Sequence, residues 1–282
     1  MIEELKHIWN VCFDDDEAYG NLYFSHAYSP ENTLVHTVGG RAVAMLSLLP
    51  ATLVTPAGER KARYVYAVAT LPAFRGQGFS RQLAAQADAQ MRAEGCELAI
   101  VVPASDALVG FYSRQGFAPA FFQRAVSFRT NRPDGFVPPE GISSDDTESG
   151  IQKIVTWRER FFSTGGCFVR WDAGLLSYAV RECRIAGGGA FYFSERDDEG
   201  YIIVEREGDT VTVKETAASP TLAPRLPAFL RQRYADSKTI TFYLPPHSPL
   251  WSGHGLVRPA AMCKWFTPPC ALTDGYFGLL GN

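Results

Sequence analysis

Arg75-Gly76-Gln77-Gly78-Phe79-Ser80 is the stretch of this sequence best suited to chemistry, because it joins an apolar run ending at Thr70 to an amphipathic pattern beginning at Phe79. A helix that starts there leaves its first backbone N–H groups without intrahelical partners and carries the positive end of the helix dipole. An anion set against it gains several hydrogen bonds at once. Gly76 and Gly78 let the backbone approach closely, and Arg75 adds a full positive charge beside them. The chemistry this pattern fits is the holding of a pyrophosphate. Two familiar phosphate loops are excluded: no Lys-Ser or Lys-Thr follows the glycines as a Walker loop requires, and Arg81 stands where a dinucleotide fingerprint needs its third glycine.

The elements that must hold this loop follow from periodicity. Tyr64 to Thr70 reads as an apolar strand, and Phe79, Leu83, Ala87 and Met91 lie four apart, one stripe of a helix that Gly95 closes. A second strand, Leu98 to Val102, runs into Pro103-Ala104-Ser105-Asp106 and then an aromatic helix, Gly110-Phe111-Tyr112-Ser113-Arg114-Gln115-Gly116-Phe117. Upstream lie a helix at Glu3 to Cys12, an acidic aromatic segment over 13–28, and strands Thr33 to Val38 and Arg41 to Leu49 joined by the hairpin signal Gly39-Gly40. Taken singly, a Gly-Gln-Gly turn is more often only a turn, and a Phe-Tyr pair only core packing. Their succession over 64–117 is hard to obtain from turns and cores alone.

Arg75 to Ser80 resembles the acyl-CoA loop of the GNAT N-acetyltransferase superfamily, Q/R-x-x-G-x-G/A, with Ser80 in the last small position, and Gly110 to Phe117 resembles its FYxxxGF element. The resemblance implies an α+β fold with a mixed sheet, acetyl-CoA as cosubstrate and no metal. It also implies that backbone groups of Val68, Ala69 and Thr70 meet the pantetheine arm and the thioester oxygen. Arg75, Gly76, Gln77, Gly78, Phe79 and Ser80 would hold the pyrophosphate, with Ser105 and Asp106 as further CoA contacts. Tyr112 is the expected general acid, since a phenol with an ordinary pKa of about 10 stays protonated at neutral pH and can donate to a departing thiolate. The plainer reading is that Tyr112 packs on the CoA arm.

Strand 64–70 contains no carboxylate to act as base, so deprotonation of an amine would come from elsewhere or through water. In some relatives the C-terminal carboxylate of the chain reaches the active site, which makes Asn282, beyond the apolar tail Gly275 to Leu280, a second catalytic candidate. Segment 13–28 falls where such proteins build the acceptor side. Asp14, Asp15, Asp16 and Glu17, with Tyr19, Phe24, His26 and Tyr28, would suit a cationic or amphipathic amine, against the plainer reading of a solvated acidic loop.

At 282 residues and 46% hydrophobic content the chain has room for two domains with a core in each. Residues 131–150, rich in Pro, Gly, Ser and acid, read as a linker between a catalytic domain over 1–130 and a second domain over 151–282. The second half offers helices at Ile151 to Phe162 and Trp171 to Val180. Strands at Ala190 to Ser194, Gly200 to Glu205 and Thr210 to Glu215 follow, then a helix at Leu222 to Tyr234 and a strand at Thr239 to Leu244. That order repeats the first half, but residues 216–221 lack the arginine and the paired glycines, so a degenerate GNAT-like domain that does not bind CoA is expected. The layout resembles acetyltransferases of the enhanced-intracellular-survival type. Those usually add a sterol-carrier-like third domain, for which this chain is too short; Val257 to Met262 is the one phrase of the second half that also matches.

The net charge of −3 argues against a nucleic-acid partner, and no run of about 18 apolar residues could span a bilayer. The N-terminal MIEELKHIWN carries charges where a signal peptide needs an apolar stretch, the six cysteines show no CxxC spacing, and the five histidines form no ligand cluster. A cytoplasmic protein is expected, without nucleic-acid or membrane partner, acting on a small-molecule or peptide amine, its degenerate domain offering a surface for a homo-oligomer. Two other classes stay open: a non-catalytic acyl-CoA sensor, and an aminoacyl transferase of the tandem-GNAT type, which the acidic charge and the intact loop disfavour.

Overall fold

The computed structural model describes every residue except 14–16, 132–134, 165, 196–197, 271, 273–274 and 281–282. In chain order its elements are α1 (Ile2–Cys12), α2 (Glu17–His26), β1 (Thr33–Val38), β2 (Arg41–Thr55), β3 (Gly58–Thr70), α3 (Phe79–Ala93), β4 (Leu98–Val101), α4 (Asp106–Ser113) and β5 (Ala118–Arg129). They continue with α5 (Glu148–Phe162), β6 (Phe168–Arg170), α6 (Ala173–Ile185), β7 (Gly189–Glu195), β8 (Asp198–Glu207), β9 (Thr210–Ala217), α7 (Leu226–Arg233), β10 (Thr239–Leu244) and β11 (Leu256–Trp265). The class is α+β, with parallel and antiparallel strand pairs together.

The chain forms two compact units, but not by a cut at residue 130. One unit comprises Met1–Leu53, Ala57–Ala118 and Ala261–Ala271; the other comprises Val54–Pro56, Pro119–Ala260 and Leu272–Asn282. Almost all of β5 thus belongs to the second unit, while the latter half of β11 belongs to the first.

In the first unit Gly39 and Gly40, at φ 58° and 78°, turn β1 into β2 with Val38 opposite Arg41, as the glycine pair predicts. The stripe on α3 is buried: Leu83, Ala87 and Met91 pack on Leu46, Val65, Ala99 and Val101. Burial of each large member of that stripe is worth about 2 kcal/mol. The far end of α3 is tied to β3, where Lys61 Nζ donates to the Glu94 carbonyl at 2.7 Å and Arg63 pairs with the Glu94 carboxylate at 2.7 Å. Next, β3 and β4 run parallel from Ala62 opposite Leu98 to Val65 opposite Val101. The other edge of β4 is taken by β11, antiparallel, with Met262 opposite Val101 and Trp265 opposite Leu98. Periodicity did not predict this strand.

In the second unit β7, β8 and β9 form an antiparallel meander, β10 joins β9 in parallel, and β5 closes on β10 antiparallel. One face packs on α7 through Leu226, Leu230, Val204, Val211 and Phe242. A buried ion pair lies elsewhere in this unit: Arg158 of α5 meets Glu215 of β9 through two bonds of 2.8 Å, and the Tyr201 hydroxyl donates to the same carboxylate at 2.7 Å. The tail docks between β5 and β6. Phe122 N–H donates to the Gly275 carbonyl and Val169 N–H to the Tyr276 carbonyl, both at 2.9 Å, while Phe277 is wholly buried beside Phe121 and Trp171.

Candidate functional site

Gly76 and Gly78 sit at φ 78° and 84°, backbone that costs an L side chain energy and glycine nothing. Gly78 is the N-cap of α3 and no side chain caps that terminus. The first amide to find a backbone acceptor is that of Gln82, which donates to the Gly78 carbonyl at 3.0 Å. Among the described residues the N–H groups of Gly76, Gln77, Gly78, Phe79, Ser80 and Arg81 donate to nothing, so they form an unfilled row at the positive end of the helix. A Cβ placed on either glycine would meet no atom within 4 Å, so the loop is open on the side a ligand would occupy.

Arg75 is exposed and makes no ion pair among the described residues; its Nε donates to the Thr70 carbonyl at 3.0 Å, which anchors the guanidinium beside the loop. The Phe79 ring turns inward and stacks on His36 with centroids 4.2 Å apart. It therefore has only its backbone to offer an anion. Gln77 reaches back to the Ala73 carbonyl at 3.4 Å.

Behind the loop the parallel pair opens. Its last paired residues are Val65 and Val101, after which β4 ends while β3 continues to Thr70. Within that overhang Ala67 takes φ 50°, a conformation unusual for a non-glycine residue, and inward-facing positions shift from Ala62 and Tyr64 to Val65, Ala67 and Ala69. That shift leaves Val68 facing a cavity of about 20 Å³ between β3, α3 and α4, which Ser80, Tyr112, Phe111 and Gln115 also line. A space of that size holds about one water.

Three residues singled out from the sequence, Val68, Ser80 and Tyr112, therefore meet at one cavity. Tyr112 is 7% exposed, its ring set edge-on to Phe111 and Phe117, and its hydroxyl has no hydrogen-bond partner among the described residues. Burial alone pushes this phenol up to about 12.

Other expected residues have different surroundings. Ser105 is the N-cap of α4, its hydroxyl accepting from Leu108 N–H at 3.4 Å, and Asp106 is an exposed acid in the first turn of that helix. Both stabilise α4 by capping and by the dipole. Phe24 and Tyr28 pack on each other and on Tyr23, with Trp9 stacked against Tyr23 at 4.6 Å; Tyr23 and Phe24 are buried, whereas Phe13, Tyr19 and Tyr28 are half-buried. Phe24 is only 9% exposed. Tyr19 is half-buried on α2, and His26 is exposed with Nδ1 2.8 Å from the Ser25 hydroxyl. Asp14, Asp16 and Asn282 lie outside the described residues.

Residues that sequence reasoning missed come from far along the chain. The Cys12 thiol donates to the Thr70 carbonyl at 3.4 Å, the same oxygen that anchors Arg75. Lys264 of β11 pairs with Asp88, which lines the cavity; its stem covers Gly116 and its ammonium group lies over the Phe117 ring. Neither carries a local signal; only Gln115, one turn beyond Phe111, lay within reach of a helical reading.

Among the described residues no helix is long and apolar enough to cross a membrane, and no group of three or more His, Cys, Asp or Glu could hold a metal ion. None of the six cysteines is in a disulfide.

Residues 1–120 match the family model described as an acetyltransferase (GNAT) domain. No curated protein matches the sequence. Among solved structures, the chain is similar to a conserved protein from Enterococcus faecalis V583 described as a probable N-acyltransferase, with a TM-score of 0.73 and 15% identity, covering 94% of this chain and 70% of that one. A GCN5-related N-acetyltransferase from Kribbella flavida aligns with a TM-score of 0.71 at 13% identity, covering 94% of this chain and 68% of that one. Eis1 from Mycobacterium abscessus aligns with a TM-score of 0.66 at 13% identity, covering 93% of this chain and 70% of that one. At such identities these likenesses speak to the fold. Loop, opened strand pair and aromatic helix all fall within residues 1–120, the stretch that matches the acetyltransferase (GNAT) domain model.

Proposed function

We propose that the first unit moves an acetyl group from acetyl-CoA to an amine, of a small molecule or a peptide, by direct attack. The observation that carries this reading is the row of unpartnered N–H groups from Gly76 to Arg81 beside the free charge of Arg75. These groups fit a pyrophosphate: they are donors only, the helix dipole favours an anion, and the glycines leave the approach open. When bound, CoA supplies the acyl group as a thioester, already activated toward amines.

The protein's part is positional. The loop fixes the pyrophosphate, and the overhang of β3 beyond Val65 offers backbone groups at Val68, Ala69 and Thr70 to an extended arm. The Tyr112 hydroxyl, spare and held protonated by burial, is suited to give its proton to the departing sulfur. Removal of the amine proton falls to water or to a group elsewhere in the chain. The exposed end of α2 at His26, with the acids before it, is our candidate for the acceptor side.

The test is calorimetric titration of the purified chain with acetyl-CoA, followed by thiol release across polyamines, aminoglycosides, amino acids and peptides. Binding with release on one amine class supports the transferase. Binding without release across the panel favours the sensor. No binding rules out the loop as the pyrophosphate site.

A further inference from the structure

The second unit repeats the opened strand pair of the first. Its parallel strands β9 and β10 pair from Thr210 opposite Thr239 to Val213 opposite Phe242, after which β9 runs on to Ala217 and β10 ends at Leu244. The chain then enters α7 through residues 218–225, as β3 enters α3 through its glycine loop. Here the cradle is closed from within. The Ser219 hydroxyl accepts from the N–H groups of Thr221 and Leu222 at 3.2 and 3.0 Å and donates to the Asp198 carboxylate at 2.5 Å. A phosphate would have to displace that serine and face that acid.

The wedge itself is retained. Between Thr216–Ala218 on one side and Pro245–Leu250 on the other lies a cavity of about 310 Å³. That is at the low end for small-molecule pockets, roughly 300–1,000 Å³. Phe161, Phe162, Phe168 and Tyr276 wall it, and the polar groups among the described lining residues are the uncharged side chains of Thr164, Thr216, Ser248, His247 and Cys167 with the Tyr276 hydroxyl; Thr164 and His247 are exposed. The charges nearest in sequence are already matched: Glu215 is held by Arg158 and Tyr201, and the Thr216 hydroxyl donates to the Tyr201 carbonyl at 3.3 Å. Among the described residues that line it, none carries a fixed charge.

We propose that this cavity is a binding site for an uncharged aromatic small molecule of up to three rings. Aromatic walls accept ring edges and faces, and the absence of a free charge penalises an ionised ligand, which would be desolvated without a partner. The proposal does not depend on acyl transfer by the first unit.

The probe is N-phenyl-1-naphthylamine, neutral and fluorescent in apolar surroundings, titrated into the full chain. The expected result is a saturable rise at a single site, weakened about tenfold or more by Ala217→Leu, which adds bulk at the wall, and by Thr164→Trp at the exposed rim. Arg75→Glu should leave probe binding unchanged, which separates failure here from failure of the transferase reading. Thr164→Trp alters an exposed side chain, so it decides the matter if Ala217→Leu does not fold. Absence of saturable binding, binding that Thr164→Trp does not shift, or equal affinity for the anionic 1-anilinonaphthalene-8-sulfonate would each overturn the proposal.

Discussion

Gly78→Ala separates what the loop contributes to stability from what it contributes to binding. Gly78 sits at φ 84° and ψ 4°, where an L side chain strains the backbone by about 1–2 kcal/mol. The new Cβ meets no atom within 4 Å, so no clash adds to that strain. Reduced freedom of the unfolded chain returns about 0.4–1 kcal/mol. The net loss is about 1 kcal/mol, which for a chain of this size lowers Tm by about 2–4 °C. Binding should fall further. A loop that relaxes toward negative φ turns the amides after Gly78 away from the ligand, and one hydrogen bond to a charged group is worth about 1.5–3 kcal/mol. That corresponds to about tenfold or more in Kd. Calorimetry with CoA on the unaltered chain, on Gly78→Ala and on Gly39→Ala reads this directly. Gly39 has φ 58° and equally open surroundings, but it turns β1 into β2 and caps no helix. Loss of affinity confined to Gly78→Ala is the expected outcome. Equal affinity of all three proteins, or equal loss in both variants, would show that the α3 terminus does not hold the pyrophosphate.

Tyr112→Phe should lower kcat by about 10²–10⁴ while sparing CoA affinity, if the phenol is the acid. An acid must be protonated to act, and burial raises this one from about 10 to about 12, so the basic limb of the pH–rate profile should lie above pH 11 and vanish in the variant. A limb that persists in Tyr112→Phe assigns it to another group. Glu215→Leu strands a guanidinium that is 2% exposed and should cost about 3–5 kcal/mol in denaturant unfolding. Arg158→Met combined with Glu215→Leu should cost less than the sum of the two single changes, because neither charge is then left alone. Ala67→Val places a β-branched side chain at φ 50° and should lower Tm and transfer activity together, whereas Ala67→Gly should leave stability within about 1 kcal/mol.

Local signals were legible and long-range ones were not. The glycine pair at 39–40, the α3 stripe and strands β1 and β10 appear where alternation and turn chemistry put them, because each is set by neighbours in sequence. The loop glycines announced their own positive φ. By contrast, β5 and β11 carry no clean alternation, since their burial is decided by strands brought beside them from elsewhere. The boundary expected at residue 130 suffered for the same reason. Segment 13–28 is ambiguous for another reason: its aromatic residues read equally well as a pocket wall or as core, and the fold buries Tyr23 and Phe24 while leaving Phe13, Tyr19 and Tyr28 half-buried. Ser105 shows the same ambiguity, one hydroxyl serving as a helix cap where the family resemblance implies a CoA contact.

The pairing of β11 with β4 also bears on how the protein can be made. Leu98 to Val101 are almost fully buried, yet one edge of that strand is covered only by residues translated about 160 positions later. During synthesis the loop, α3 and α4 emerge early beside an apolar, unpaired strand edge, the kind of surface that recruits other chains. Closing so long a loop is slow relative to the local hairpins. A fragment ending near residue 130 lacks Met262 to Trp265 and should aggregate or bind chaperones. Supplying the missing strand as a separate peptide should rescue it.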